Sequence, residues 1–353
     1  VWVMHPLFMK QKRLLFDGAF GTYYASLYGN EEPCEMANVK APTRVAAIHE
    51  EYLKAGANAI KTNTFAMNEA VLDCSKAKRE ELLRQGYRIA KRVATPYQAS
   101  VFADIGPCVE TRTRSAFTQY KELVDVFLEE GADCFLFETL PNDHGIHEIA
   151  AYLKERCPHV CVLVSFAVTA DGYTQQGVPL TKLVKAAHED ENIHGFGLNC
   201  ICGPMHMRRL LKYFDTKKDT ILIMPNAGYP TILANHTYFR DNSSYYAQEM
   251  EKISSMGVRI LGGCCGSKPS YIQKIKERLQ EEAVLSLPTP AANDPVLYKD
   301  CNPLRKKLQR KEKVICVEFD PPMDCRIERF MNDAEYLKEQ GIDAITIADC
   351  PIA

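Results

Sequence analysis

The chain has 353 residues, of which 46% are apolar and 25% are charged, and its formal net charge is -2. This length allows one large α/β barrel or two ordinary domains with substantial cores. The near-neutral charge gives no electrostatic attraction to nucleic acid or to an acidic membrane surface. No run of 18 apolar residues and no signal-peptide pattern occurs, so we expect a cytoplasmic protein with no membrane and no nucleic-acid partner.

Short apolar runs and longer helix-like segments alternate over most of the chain. Eight such runs each precede a segment of helical character, and they cover residues 13–18, 59–65, 100–107, 134–140, 161–169, 195–200, 220–228 and 259–265. Eight βα units predict an α/β fold of the (β/α)8 TIM barrel type. An open doubly wound sheet is the structural alternative, but no GxGxxG motif follows the first run to support dinucleotide binding.

Three helix-to-strand joints share one pattern, in which a glycine separates the helix from an apolar strand. They are "LKAGANAI" at 53–60, "LEEGADCF" at 128–135 and "SSMGVRI" at 254–260. Glycine suits the left-handed residue that ends a helix. We therefore expect a positive φ at each of these glycines.

The barrel pattern ends at a proline-rich stretch, residues 286–304. We predict a barrel domain over 1–285 and a linker over 286–312. From 313 to 353 a strand, helix, glycine, strand order restarts, which we interpret as the truncated start of a second barrel. The basic residues at 305–313 favour a solvated helix face over an anion-binding patch.

Polar residues stand where the predicted strands end. In a TIM barrel the active site lies at the C-terminal ends of the strands, where the βα loops converge. The residues at these ends are Asp17, Asn63, Thr64, Asp104, Glu138, Ser165, Cys200, Asn226, Cys264 and Cys265.

Three of these strand-end residues are thiols, from the sixth and eighth strands. Cys200, Cys264 and Cys265 form a soft donor set of the kind that favours Zn²⁺. Three protein ligands leave one position for substrate. Cys202, His194 and His206 are poorer candidates, because they lie in a loop, at the opposite strand end or beyond the loop.

Two other interpretations of the cysteine pair remain open from the residues alone. Cys264 and Cys265 are compatible with two buried free thiols beside a tight glycine turn. A dithiol redox role is the second alternative, although adjacent cysteines strain a disulfide ring. Elsewhere, Cys134, Cys161 and Cys316 lie in apolar strand runs and are expected only to pack.

An open zinc site predicts activation of a substrate thiol. The metal charge favours the thiolate at neutral pH, and the thiolate can attack an activated methyl group. Asp17 and Glu138 are candidates to receive a substrate ammonium group, and the backbone beside Asp17, at Gly18 and Ala19, is a candidate to receive its carboxylate. The alternative for each acid is a helix cap or a loop salt bridge.

The assembled motifs resemble the homocysteine S-methyltransferase family. They are "LLFDGAFGT" (14–22), "IKTNTFAMN" (60–68), "FLFETLPN" (135–142), "GLNC" (197–200), "PNAGYP" (225–230) and "GGCCG" (262–266). The resemblance implies a zinc-dependent barrel that transfers a methyl group to the thiol of L-homocysteine and so forms L-methionine.

The resemblance also implies roles for individual residues. Cys200, Cys264 and Cys265 would be the zinc ligands, with the homocysteine thiolate as fourth ligand and nucleophile. Asp17 and Glu138 would hold the amino group, and the further substrate contacts would be Gly18, Ala19, Thr64 and Asn226. Asn226 would approach the metal when substrate is absent.

The tail resembles a different enzyme family. "VEFDPP" (317–322) and "DAITIADCPIA" (343–353) are similar to the first strands of methylenetetrahydrofolate reductase, with Glu318 at the position of its catalytic glutamate. This similarity implies the N-terminal part of a bifunctional fusion, in which FAD would bind only a complete reductase domain.

The methyl donor is left open by the sequence. Methyltetrahydrofolate, S-methylmethionine and a corrinoid carrier are the candidates. The alternative function is a homocysteine-binding module that presents the thiolate to a separate methyl carrier without turnover of its own.

Overall fold

The computed structural model describes residues 13–68, 71–72, 74–228, 231–233, 236–238, 241–282, 304, 307–308, 310–319 and 328–347. The chain forms two compact units, Val1–Pro288 and Thr289–Ala353. The predicted domain boundaries at 285 and 312 stay predictions. No helix in the part of the chain that the structure describes is long and apolar enough to span a membrane.

The first unit alternates strands and helices in the predicted order. Its strands are β1 Leu14–Leu15, β2 Ala59–Lys61, β3 Ser100–Ile105, β4 Cys134–Leu140, β5 Cys161–Phe166, β6 Gly195–Asn199, β7 Ile221–Met224, β8 Thr231–Leu233, β9 His236–Tyr238 and β10 Ile260–Leu261. Its helices are α1 Gly21–Tyr28, α2 Ala37–Lys40, α3 Pro42–Lys54, α4 Lys76–Ala94, α5 Ala116–Glu129, α6 Ile146–Arg156, α7 Leu180–Glu189, α8 Pro204–Leu210, α9 Ser243–Ser255 and α10 Pro269–Glu282.

Eight parallel strands form one sheet, in the order β1-β10-β7-β6-β5-β4-β3-β2. The two ends of this sheet meet through a parallel bridge between Phe16 and Ala59. Across the same junction, Asp17 N–H donates to Ala59 O at 3.1 Å and Asn58 N–H donates to Leu15 O at 2.9 Å. The sheet is therefore closed, and the predicted (β/α)8 TIM barrel is confirmed.

The glycine-containing joints adopt the predicted backbone. Gly56, Gly131 and Gly257 have φ values of 106°, 78° and 102°. After the first of these, Ala57 N–H donates to Tyr52 O at 3.1 Å and closes the last turn of α3. Such a left-handed residue stops the helix and directs the chain back toward the sheet.

The barrel interior has an apolar level, formed by inward-facing side chains. The cluster consists of Leu14, Phe16, Ala59, Phe102, Cys134, Leu136, Cys161, Leu163, Leu222, Met224 and Ile260. A strand alternates its side chains between faces, so the residue two positions farther along faces the interior again. Polar residues occupy that next level, at Lys61, Asp104, Glu138 and Ser165.

The loop after β7 differs from the predicted pattern of a strand followed directly by a helix. β8 and β9 form an antiparallel hairpin, with Thr231 opposite Tyr238. α9 begins only afterwards, at Ser243. The two short segments carry β-branched and aromatic residues, which favour strand pairing over helix.

The second unit contains a strand, a helix and a strand. β11 Cys316–Phe319 and β12 Ala344–Ile347 pair in parallel, and α11 Glu328–Glu339 lies between them in the chain. Asp343 accepts a hydrogen bond from Ile315 N–H at 3.0 Å. It also forms an ion pair with Lys307, at 2.5 Å. Glu318 is exposed on β11, and Gly341 after α11 has a φ of 82°.

We expect side chains buried in the apolar level to contribute strongly to the stability of the barrel. Leu136 is fully buried in it, so Leu136→Ala should lower the free energy of unfolding by about 2 to 5 kcal/mol. Leu27 on α1 is 46% exposed, so Leu27→Ala should cost roughly 0.5 kcal/mol or less. Urea unfolding followed by circular dichroism measures both, and equal losses in the two variants would contradict this assignment of the core.

Candidate metal and substrate site

The turn after β10 carries two adjacent cysteines and is anchored on both sides. Cys264 N–H donates to Pro225 O at 2.8 Å, and Gly263 N–H donates to Asp17 O at 3.0 Å. Ser267 closes the turn, with its hydroxyl donating to Cys264 O at 2.7 Å. A Cβ atom on Gly263 would collide with Ser267 Oγ, so glycine is required there. These bonds fix the turn between the ends of β7 and β1.

The end of β6 has an unusual backbone. Cys200 and Ile201 both have left-handed φ values, 59° and 58°. A non-glycine residue in the left-handed region raises the conformational free energy by on the order of 1 to 2 kcal/mol. Cys200 N–H donates to Met224 O at 3.1 Å, and Cys200 O accepts from Cys202 N–H at 2.6 Å. Local strain of this kind is often retained where a side chain has a functional position.

The three predicted thiols converge. The Sγ atoms of Cys200, Cys264 and Cys265 lie within 4.8 Å of one another, and those of Cys200 and Cys265 are 3.7 Å apart. Among the described residues this is the one group of at least three histidine, cysteine or acidic side chains with a spacing suited to a metal ion. The donor set is soft, half-buried to buried, and compatible with Zn²⁺.

The other candidate ligands lie elsewhere. Cys202 is buried and its thiol contacts Val168 O at 3.3 Å, outside the cluster. His194 accepts a hydrogen bond from Val162 N–H at 3.1 Å before β6 begins. His206 lies on α8 and is half-buried. None of these three side chains belongs to the thiol cluster.

The three thiols share charge through hydrogen bonds. Hydrogen bonds from Cys264 and Cys265 lower the pKa of Cys200 to about 3. The hydrogen bond to Cys200 raises the pKa of Cys264 to about 12, and the pKa of Cys265 is raised as well. These opposite shifts favour one thiolate among the three thiols, since adjacent negative charges repel each other.

A buried charged cluster lies beside the thiols. Lys61 Nζ is 3.4 Å from Glu138 Oε2 and 4.0 Å from Asp17 Oδ1. The backbone N–H of Lys61 also donates to Asp17 Oδ2 at 3.1 Å. Each of these three side chains is no more than 7% exposed. Lys61 was not predicted as a site residue, although the two-residue alternation from Ala59 places it inside the barrel.

Asp104, on β3, contributes the third carboxyl group of this cluster. Its N–H donates to Thr62 Oγ1 at 2.9 Å, and its carbonyl accepts from Thr64 Oγ1 at 2.7 Å. The Thr62 and Thr64 hydroxyls are 2.6 Å apart. The hydroxyl of Thr64 is therefore used to hold Asp104. Asn63, which like the two threonines follows β2, donates to Cys34 O at 2.8 Å.

Asn199 joins the thiols to the acids. Its Nδ2 lies 3.3 Å from Glu138 Oε2 and 3.9 Å from Cys264 Sγ. Its Oδ1 accepts from Thr139 N–H at 2.7 Å and from Ser165 Oγ at 2.8 Å. Sequence reasoning missed Asn199, but its position in "GLNC", two residues beyond inward-facing Gly197, was the available signal.

Burial raises the pKa values of the acids. The pKa of Asp17 rises to about 7 because of burial, against the opposing charge of Lys61. Burial likewise raises the pKa of Glu138 to about 7. The pKa of Asp104 also lies well above its usual value, for the same reason. The cluster has three carboxyl groups and one ammonium group, so it is short of positive charge.

The remaining predicted substrate contacts are Gly18, Ala19 and Asn226. Ala19 N–H donates to Ser267 Oγ at 3.2 Å, and Ala19 O accepts from Tyr52 Oη at 2.6 Å. A Cβ atom on Gly18 would approach Ser267 Oγ to 2.7 Å, so a glycine is needed. Asn226 is buried, and its Oδ1 has no hydrogen-bond partner among the described residues.

The raised pKa values predict that stability falls as pH rises from 5 to 8. The unfolded carboxyl of Glu138 loses its proton near its model value of 4.5, whereas the folded one keeps it up to about 7. The folded state therefore binds more protons in this range, and its advantage is lost as pH rises. Between pH 5 and 8, the unfolding free energy of Glu138→Gln should fall by roughly 2 to 3 kcal/mol less than that of the original chain.

Urea unfolding at several pH values, at equal metal content, measures this slope. Glu81→Gln is the matched control, because Glu81 is exposed on α4 and pairs with Lys78. It should keep the slope of the original chain. Identical slopes for Glu138→Gln and the original chain would show that burial of Glu138 carries no such penalty.

The region that forms the barrel is similar in sequence to several known proteins. A family model described as Homocysteine S-methyltransferase matches residues 14–279. The chain is 29% identical to Methionine synthase of Mycobacterium leprae in an alignment 296 residues long, which covers 76% of this chain and 24% of that protein. It thus spans about a quarter of the length of that relative.

Other relatives match along nearly their whole length. Homocysteine S-methyltransferase of Escherichia coli K12 is 23% identical, over 78% of this chain and 98% of that protein. The crystal structure of the homocysteine methyltransferase MmuM from E. coli, oxidized form, has a TM-score of 0.64 and 22% identity, over 77% of this chain and 98% of that one. The metallated form of MmuM gives a TM-score of 0.61 at 20% identity, with the same coverage. Because the family model covers most of the chain, this protein belongs to the homocysteine S-methyltransferase family.

Proposed function

We propose that the chain transfers a methyl group to the thiol of L-homocysteine, forming L-methionine at a zinc site. The observation that carries the proposal is the position of three cysteine thiols beside a buried acidic cluster, with Asn199 in contact with both. Homocysteine has a thiol at one end and an ammonium group at the other. The two parts of the site match those two groups.

The thiol cluster fits zinc by donor type and number. Cys200, Cys264 and Cys265 would hold the ion, and three protein ligands leave one coordination position open. When bound, zinc supplies a positive charge that lowers the pKa of a substrate thiol. The unpartnered Oδ1 of Asn226 is a further oxygen ligand candidate when substrate is absent.

The acidic cluster fits an ammonium group. Asp17 Oδ1 and Asp104 Oδ1 are buried and have no hydrogen-bond partner among the described residues. Buried acceptors without donors are costly, so an incoming N–H donor is favoured. Asp17 and Glu138 would receive the substrate ammonium, while the glycine-containing backbone at Gly18 and Ala19 would lie near its carboxylate.

The reaction then needs little further chemistry from the protein. The substrate thiol loses its proton to solvent, its sulfur forms the new S–CH₃ bond, and the donor leaves with the electron pair of the broken bond. The side chains position the sulfur: Asn199 fixes Cys264 relative to Glu138, and Glu138 holds the other end of the substrate. Such positioning lowers the entropic part of the barrier.

Three donors remain candidates: methyltetrahydrofolate, S-methylmethionine and a corrinoid carrier. The resemblance of residues 313–353 to methylenetetrahydrofolate reductase would favour methyltetrahydrofolate, which that enzyme produces. The strand–helix–strand order of the second unit and the position of Glu318 on β11 are compatible with this fusion. The fusion and its FAD requirement stay predictions.

A second candidate function is a homocysteine-binding module without turnover of its own. The observation in its favour is that the chain matches only 24% of the length of a methionine synthase. Such a module would present the thiolate to a methyl carrier held elsewhere.

Metal content tests the proposed site. We expect about one zinc per chain, and loss of most of it in Cys264→Ala because a three-thiol site cannot lose one ligand without a large loss of affinity. Cys202→Ala is the matched control, since Cys202 is a buried thiol two residues from Cys200 that contacts Val168 instead. Elemental analysis of the purified proteins gives the zinc content, and circular dichroism verifies folding. Full zinc content in Cys264→Ala would sink the proposed ligand set.

Turnover tests the choice between enzyme and module. The zinc-loaded chain is incubated with homocysteine and, separately, methyltetrahydrofolate, S-methylmethionine and methylcobalamin, and methionine is quantified by mass spectrometry. We expect methionine with one of these donors and at least a hundredfold less with Cys264→Ala, a loss of roughly 3 kcal/mol of transition-state stabilisation. Homocysteine binding without methionine from any donor would favour the module.

A further inference from the structure

Lys61 occupies the place that the proposed function gives to the substrate ammonium group. Its side chain is 6% exposed, and its Nζ lies 3.4 Å from Glu138 Oε2 and 4.0 Å from Asp17 Oδ1. These are the two acids expected to bind the amino group of homocysteine. A cation supplied by the chain therefore already interacts with both.

We propose that Lys61 is an internal competitor for the substrate ammonium group and thereby sets the affinity of the site for amino-acid thiols. The inference rests on the proposed function, because it assumes that Asp17 and Glu138 receive that ammonium. Lys61 acts through these two acids, and so it is a positioning residue.

A cation offsets part of the charge of the three acids when substrate is absent. Asp17, Glu138 and Asp104 are each at most 5% exposed, and buried carboxylates without a partner are strongly unfavourable. Lys61 compensates this charge through its ammonium group, while its backbone N–H holds Asp17 Oδ2 at 3.1 Å. The empty site is thus kept folded and partly neutral.

Arrival of a second cation disturbs this balance. Two ammonium groups that contact the same two carboxyl groups repel each other, and a buried site screens this repulsion poorly. Asp104 offers Lys61 another partner, because its Oδ1 has no hydrogen bond among the described residues and its charge acts on Lys61. The substrate ammonium can then take the contacts with Asp17 and Glu138 as Lys61 moves toward Asp104.

The competition affects substrate and product alike. Homocysteine and methionine carry the same ammonium group, so Lys61 weakens the binding of both without changing the reacting sulfur. Interactions that are uniform along the reaction change KM and leave kcat nearly unaltered. Lys61 therefore raises the KM for homocysteine and favours release of methionine.

A ligand pair with and without the amino group tests the competition. Isothermal titration calorimetry measures binding of homocysteine and of 4-mercaptobutanoate, which lacks only the amino group, to the zinc-loaded protein. For Lys61→Met we expect homocysteine to bind about tenfold tighter, while 4-mercaptobutanoate binds no tighter. Lys61→Arg should keep the affinity ratio of the original chain, because it retains the charge.

Two further variants make the outcome decisive. Lys61→Gln gives the same readout with a polar side chain if the methionine variant fails to fold. Lys121→Met is the control for loss of a lysine, since Lys121 pairs with Asp125 on the outer helix α5. It should leave both affinities unchanged.

Separate results would overturn the two proposals. If both thiols bind and change affinity equally in Lys61→Met and Lys61→Gln, or if homocysteine binds more weakly, Lys61 is not a competitor. Weaker binding of both ligands would instead place their shared carboxylate on Lys61. If neither thiol binds to any zinc-loaded form, the proposed function fails together with the inference.

Discussion

One buried ammonium group pairs with two of three buried carboxyl groups at the mouth of the barrel. Lys61, Asp17, Glu138 and Asp104 lie directly above an apolar interior, where charge is unfavourable unless it is paired. Asp17 also belongs to the backbone junction that closes the sheet, and its carbonyl accepts from Gly263 in the cysteine turn. The charged cluster, the closure of the barrel and the position of the thiols are consequently one connected arrangement.

The amide of Asn199 is a side-chain link between the thiols and the acids. Asn199 donates toward both Glu138 and Cys264, and its carbonyl oxygen is held by Thr139 and Ser165. These hydrogen bonds leave the Asn199 side chain little freedom to rotate, so it helps to fix the separation of the two parts of the site.

The sequence was most informative where a local pattern carried the signal. The eight strand runs lie where strands form, the joint glycines have positive φ, and the three predicted thiols meet in one cluster. It was least informative inside the barrel. Lys61 lies in an apolar run and was not singled out, because its charge acquires meaning only beside Asp17 and Glu138, which come from strands 44 and 77 residues away. The hairpin in the loop after β7 was also missed, since strand pairing depends on a partner segment.

The sequence alone determined the alternation of strands and helices, the left-handed joints and the identity of the three soft donor residues. These follow from side-chain periodicity, from the conformational freedom of glycine and from donor chemistry, which are properties of short segments. The tertiary structure decided which residues become neighbours, how Cys200 and Ile201 turn their backbone, and which carboxyl groups lose their solvent. Closing a barrel brings distant strand ends to one place and removes water from them, and neither effect can be read from a single segment.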